Sequence, residues 1–142
     1  MQYIIDNQNR RVVLLGGNSQ KHLAAGLVER LNSPSVIDLT GNSLVEMTAV
    51  LKAAAAAVGP DSGPGHLAAA VGTPYITLFG PTPASRHAPY GCEHLIVKSD
   101  LDCAPCYKKQ CPEHNNRCMA NIKIDDIAQK ISRALETSPV AN

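Results

Sequence analysis

Short apolar runs alternate with stretches of helical period along the chain. RVVLLGG at 11–17 is apolar without strict alternation and ends in glycines, which predicts a strand buried on both faces. SQKHLAAGLVERL at 19–31 sets Leu23, Leu27 and Leu31 one turn apart and predicts a helix capped by Asn18 or Ser19. SVIDL at 35–39 reads as a short strand. NSLVEMTAVLKAAAAAV at 42–58 places Leu44, Met47 and Leu51 on one helix face, and its tail around 56–59 turns into another strand. A helix opens after the glycines near 63–65. TPYITLFG at 73–80 and HLIVKS at 94–99 are the next strands, and IDDIAQKISRALE at 124–136 is a closing helix with Ile127, Ile131 and Leu135 inward. Such strands separated by helices predict an α/β fold, a Rossmann-like parallel sheet with helices on both faces. There is no internal repeat. MQYIIDNQNRR at the start reads as the last turns of a helix and a turn into the first strand. That favours a piece of a longer protein, begun inside a domain, over an ordinary N-terminal segment. Residues 137–142 read as a disordered tail.

Composition narrows the function classes. The 142 residues carry 13 basic and 12 acidic side chains, a net charge of +1, so nothing points to nucleic acid. No apolar stretch approaches the ~18 residues of a membrane span and no signal peptide opens the chain. The expectation is a soluble, cytoplasmic chain. Aromatic residues make up 4% and Trp is absent, so Ala, Val, Leu and Ile must build the core.

The densest chemistry is GPDSGPGHLAAAVGTPYITLFGPT at 59–82. A strand leads into Asp61, Ser62, Gly63, Pro64, Gly65 and His66, and then into a helix. In open parallel sheets, ligands sit beyond the carboxyl ends of strands. The unpaired N–H groups and the dipole of a helix start favour an anion such as phosphate. Gly63 and Gly65 would let a ligand approach the backbone. Ser62 adds a hydroxyl, and His66, one turn in, can donate to the same anion. Asp61 would repel a phosphate and suits capping the helix or accepting from sugar hydroxyls. The plainer alternative is a helix capped by Asp61 or Ser62 with glycines that only turn the chain, and spacing alone does not choose between the two. Neither a dinucleotide fingerprint nor a Gly-Lys-Ser/Thr loop is present.

The whole stretch resembles the signature of glycosyltransferase family 9, the bacterial ADP-heptose:lipopolysaccharide heptosyltransferases, at Asp61, Ser62, Gly63, His66, Ala69, Ala70, Gly72, Thr73, Pro74, Gly80, Pro81 and Thr82. VVLLGG, DLTGNSLVEM and the cysteine-bearing CAPCYKKQCPEHNNRCM at 103–119 also resemble the family, the last its heptosyltransferase II-like members. The resemblance implies the C-terminal half of a GT-B glycosyltransferase, with residues 1–136 as a donor-binding domain truncated at its N-terminal end. It implies an inverting enzyme that moves heptose from ADP-heptose to the inner core of lipopolysaccharide, with no cofactor. Its acceptor site and catalytic base would lie in a missing N-terminal domain, so no catalytic residue falls in this chain and the chain alone would be inactive. The full-length enzyme would be cytoplasmic or peripheral at the inner membrane. By the same resemblance Ser62 and Gly63 would hold the donor diphosphate, His66 would stabilise the leaving nucleotide, and Asp61 would sit by the sugar or diphosphate. Leu39, Thr40 and Gly41 would border base and ribose. Thr82 would lie on the same rim, or be a plain turn residue. The family's basic donor-binding residue belongs to the missing part. Where the family has an acid after the LLGG strand, this chain has Gln20, Lys21 and His22. A nucleotide- or phosphate-binding module without transferase activity is the competing reading.

Cys103, Cys106, Cys111 and Cys118 fall within sixteen residues, with Cys92 apart. Cys-x-x-Cys is half of a zinc ribbon, but the second half is irregular, so a metal held by these four, with His114 as a substitute ligand, is the weaker alternative. A cysteine-rich loop that ties down a long connection is the main expectation. His22 reads as solvated. Arg86, beside His87 in a loop, reads as solvated or as meeting a phosphate or an acidic acceptor. Asp125 and Asp126 read as first-turn partners of a helix dipole.

Overall fold

The computed structural model describes residues 1–112 and 115–138. Packing divides the chain into two units, Met1–Met47 and Thr48–Asn142.

In the first unit, helix α1 (Gln2–Gln8) ends at Asn9 with φ of 47°, a left-handed conformation that asparagine tolerates. Strand β1 (Val12–Leu14) follows. Helix α2 (Lys21–Leu31) is where the sequence predicts it, but neither Asn18 nor Ser19 caps it. A 3₁₀ turn at Asn18–Gln20 precedes the helix, and Gln20 Oε1 accepts from the Gly17 N–H at 2.9 Å. The buried face is also turned from the predicted one. Ala24 is buried while Leu23 is 59% exposed, and Leu27, Val28 and Leu31 are half-buried. Positions 24, 27, 28 and 31 follow the i, i+3, i+4, i+7 pattern of a single helical face, whereas 23, 27 and 31 drift around the cylinder. Asn32, again left-handed, ends α2 with its N–H on the Val28 carbonyl at 2.9 Å. Strand β2 (Val36–Asp38) then pairs with β1 in parallel, Val12 opposite Val36 and Leu14 opposite Asp38.

Helix α3 (Leu44–Ala53) opens on a reciprocal cap, with the Ser43 hydroxyl donating to Glu46 Oε2 at 2.6 Å and the Glu46 N–H to Ser43 Oγ at 3.3 Å. The hydroxyl, and with it the Ser43 N–H, holds the Glu46 carboxyl below its ordinary range. Met47 and Leu51 are buried as predicted, whereas Leu44 is 63% exposed.

In the second unit the alanine tail of α3 does not stay helical, despite alanine's high propensity. The Thr73 hydroxyl donates to the Leu51 carbonyl at 2.7 Å, and the Ala54 N–H closes onto the same carbonyl at 3.0 Å. Strand β3 (Ala57–Pro60) begins at once. Helix α4 (Gly63–Ala70), strand β4 (Tyr75–Phe79), the single turn α5 (Ala84–His87), the short strand β5 (Val97–Lys98), the turn α6 (Arg117–Ala120) and helix α7 (Ile124–Thr137) complete the unit. The three strands are parallel in the order β3-β4-β5. Tyr75, Ile76, Thr77 and Phe79 are buried and Leu78 is half-buried, the pattern of a central parallel strand covered on both faces. Ile76, Leu95, Val97 and Ala134 form the core, with Ile122, Ile127 and Ile131 packed against it. On α7 it is Ala134 rather than Leu135 that is fully buried. Residues 139–142 of the predicted tail lie outside the described residues. Among the described residues no helix is long and apolar enough to cross a membrane.

One contact fixes how α4 lies on its sheet. The Tyr75 ring fills the space next to the backbones of Gly59 and Gly65, and a Cβ on Gly65 would stand 2.7 Å from Tyr75 Cε1. Gly65 is buried and serves core packing rather than the ligand approach expected of it. Gly65→Ala is therefore expected to destabilise the chain by about 1–3 kcal/mol, although alanine ordinarily favours a helix. Gly26→Ala in α2, where nothing lies within 4 Å of the new Cβ, is expected to stabilise it by up to about 1 kcal/mol. Denaturant midpoints of the two variants measure both signs.

Candidate functional site

Strand β3 ends at Pro60 and hands the chain to Asp61 and Ser62. Ser62 takes the N-cap position of α4 with an extended backbone, φ −164° and ψ 165°, but no side chain caps the helix. Its hydroxyl donates instead to the Pro60 carbonyl at 3.2 Å. The Gly65 N–H bonds to the Ser62 carbonyl at 3.0 Å, and Pro64 has no N–H to leave unpaired. Gly63 is exposed, with nothing within 4 Å of the position a Cβ would take. The helix start is thus open, as an anion site requires.

The His66 side chain is exposed and makes no hydrogen bond among the described residues, so it is not a core histidine holding a backbone carbonyl. Asp61 does not cap α4. Its Oδ2 lies 3.9 Å from Nδ1 of His87, at the end of α5, with the carboxylate side chain 17% exposed. The Tyr75 hydroxyl donates to the Pro60 carbonyl at 3.2 Å beneath this turn. Burial pushes the Tyr75 phenol above its ordinary value; the neighbouring Ser62 hydroxyl works against that rise and the Asp61 carboxylate adds to it. Sequence reasoning missed both His87 and Tyr75 as neighbours of Asp61. For Tyr75 a signal was available, because β4 opens on a large ring shortly after glycines at 59 and 65 that leave room for one.

Thr82 is half-buried in the loop from β4 to α5. This loop is where the cysteine-bearing segment docks. The Tyr107 N–H donates to the Pro81 carbonyl at 2.7 Å, and a Cβ on Gly80 would meet Met119 Sδ at 2.6 Å and Cys118 Sγ at 2.9 Å. Cys92, Cys103, Cys106, Cys111 and Cys118 are free thiols. Among the described residues no group of three or more His, Cys, Asp or Glu side chains comes together to hold a metal ion. His114 lies outside the described residues.

The first unit holds Leu39, Thr40 and Gly41, directly after β2. The Leu39 N–H donates to the Leu14 carbonyl at 3.0 Å and the Gly41 N–H to the Gly16 carbonyl at 2.8 Å, so both amides are used within the unit. The Thr40 N–H donates to Asp38 Oδ1 at 2.8 Å. Gly41 has φ of +88°, and a side chain there would run into the Lys21 stem and, at 2.6 Å, Asn18 Oδ1. Asn18 and Lys21 border this turn, a placement the sequence pattern did not reveal.

Residues 2–116 match the family described as glycosyltransferase family 9 (heptosyltransferase). The chain belongs to glycosyltransferase family 9. It is 37% identical over 111 residues to lipopolysaccharide heptosyltransferase 1 of Pseudomonas aeruginosa, covering 76% of this chain and 31% of that protein. It is 34% identical over 79 residues to lipooligosaccharide heptosyltransferase 2 of Campylobacter jejuni, covering 55% of this chain and 25% of that protein. The chain therefore spans about a third or less of the curated relatives it matches. The crystal structure of a family 9 glycosyltransferase from Veillonella parvula superimposes on 96% of this chain and 40% of its own, with a TM-score of 0.75 at 20% identity, which shows a shared fold. The α/β fold with parallel strands is thus a family 9 fold.

In this family 9 chain the turn after β2 carries its own pH signature. The Thr40 N–H holds the Asp38 carboxyl below its ordinary value, with nearby Lys21 adding to the effect. A lowered carboxyl stabilises the fold above its unfolded value and loses that effect as pH falls through the folded value. Wild type is expected to exceed Asp38→Asn in thermal midpoint at pH 7, and the gap is expected to close as the carboxylate protonates below about pH 4. A gap that stays constant with pH would remove the charge from the argument.

Proposed function

We propose that this chain is the donor-binding part of an inverting heptosyltransferase that transfers heptose from ADP-heptose to the inner core of lipopolysaccharide. The observation that carries the reading is the uncapped start of α4, with Gly63 open and His66 exposed, in a family 9 chain. The matched relatives, named as heptosyltransferases, support the choice of sugar.

In such a transfer the acceptor oxygen bonds to the anomeric carbon. The bond from that carbon to the diphosphate breaks, and its electron pair leaves on ADP. Charge therefore grows on the diphosphate in the transition state. The Gly63 N–H and the dipole of α4 face that charge without reorganising, and the Ser62 hydroxyl is free to turn from Pro60 to it. His66 donates to the same group. Leu39, Thr40 and Gly41, in the first unit, keep the reading of contacts to base and ribose, and Thr82 that of a rim residue. The acceptor site and the base that takes the acceptor proton are assigned to an N-terminal domain of the full-length enzyme, working on the cytoplasmic side of the inner membrane.

Two outcomes test this. His66→Ala in the full-length enzyme is expected to cut turnover about a hundredfold or more with an unchanged thermal midpoint; a destabilised variant with normal turnover per folded molecule would take His66 out of the site. The chain by itself, mixed with ADP-heptose and a heptose-deficient core lipopolysaccharide, is expected to give no product above background, and turnover there would refute the division of labour.

A further inference from the structure

The acid beside the proposed anion site is electrostatically out of place. Asp61 neither caps α4 nor is buried away from it, so a diphosphate held at the helix start would meet an unscreened carboxylate. The loop after β4 brings a compensating group. His87 ends α5, and its Nδ1 is 3.9 Å from Asp61 Oδ2, the side chains 40% and 17% exposed. Because Nδ1 is the nitrogen that faces the acid, Nε2 remains for a second partner.

We infer that His87 is the charge partner through which Asp61 acts at the anion site: the imidazolium directs Nδ1–H to Asp61 and leaves Nε2–H for the bound anion. The inference rests on the donor-site reading above. Paired this way, acid and imidazolium sum to zero, and the acid no longer opposes a diphosphate. The carboxylate then contributes to anion binding through His87 instead of working against it. Because the bridge needs the imidazolium form, its effect is larger at pH 6 than at pH 8. Arg86 on the same turn and His66 on α4 are both exposed to solvent. Tyr75 on β4 stays neutral across this range, since burial raises its phenol. Arg86 and His66 are unchanged in the comparison that follows.

Calorimetric titration of the full-length enzyme with ADP at pH 6 and pH 8 separates the possibilities, using wild type, His87→Gln, Asp61→Asn and the double variant. His87→Gln is expected to weaken ADP binding about fivefold at pH 6, less at pH 8, and less again when Asp61 is already Asn. No loss at pH 6, or an equal loss in both backgrounds, overturns the inference and leaves the donor-site reading standing. A full-length wild type that binds no ADP overturns the donor-site reading and this inference with it. Should a variant fail to fold, nitrogen NMR of the ligand-free wild type decides: neutral His87 is expected to carry its proton on Nδ1, and a proton on Nε2 overturns the inference.

Discussion

The second unit is organised around the Tyr75 ring. It lies where side chains of Gly59 and Gly65 would otherwise stand, so strand β3 and helix α4 close on one buried aromatic. The phenol cannot be left dry without a partner, and the Pro60 carbonyl supplies one at 3.2 Å. That carbonyl also takes the Ser62 hydroxyl. The packing of a core residue and the conformation of the turn that opens α4 are therefore a single arrangement.

The same turn divides its polar groups between scaffold and surface. Gly65, Tyr75 and Ala68 face inward; Gly63 and His66 face out. Asp61 stands between, with His87 as its neighbour. A helix start with no side-chain cap leaves backbone donors without a protein partner, a local cost that proteins usually avoid. In a family of transferases, an open donor at that place is intelligible as a site kept for the substrate's charge.

Much of this was legible in the sequence, for stated reasons. The run at 73–80 is apolar enough to admit only a doubly covered strand, and the signature at 61–66 placed Ser62, Gly63 and His66 at a helix start. Other features depend on contacts that a one-dimensional pattern does not contain. The alanines after α3 favour helix intrinsically, but the Thr73 hydroxyl takes the Leu51 carbonyl, the helix stops at Ala53, and β4 recruits Ala57. The buried face of α2 follows Ala24 because a small residue can approach closely where Leu23 cannot. Gly65 looked like a residue kept free for a ligand until the ring opposite it was placed. The pairing of Asp61 with His87 needs the crossover through β4, which brings together residues far apart in the chain.

The docking of the cysteine-bearing segment has a consequence for where this domain ends. The family match stops at residue 116, yet Cys118 and Met119 fill the space over Gly80, and Ile122, Ile127, Ile131 and Ala134 complete the core around Ile76. The boundary drawn by family likeness falls inside the folding unit. Residues past it pack over Gly80 beside the rim that carries Thr82, so part of the wall next to the signature lies beyond the family match.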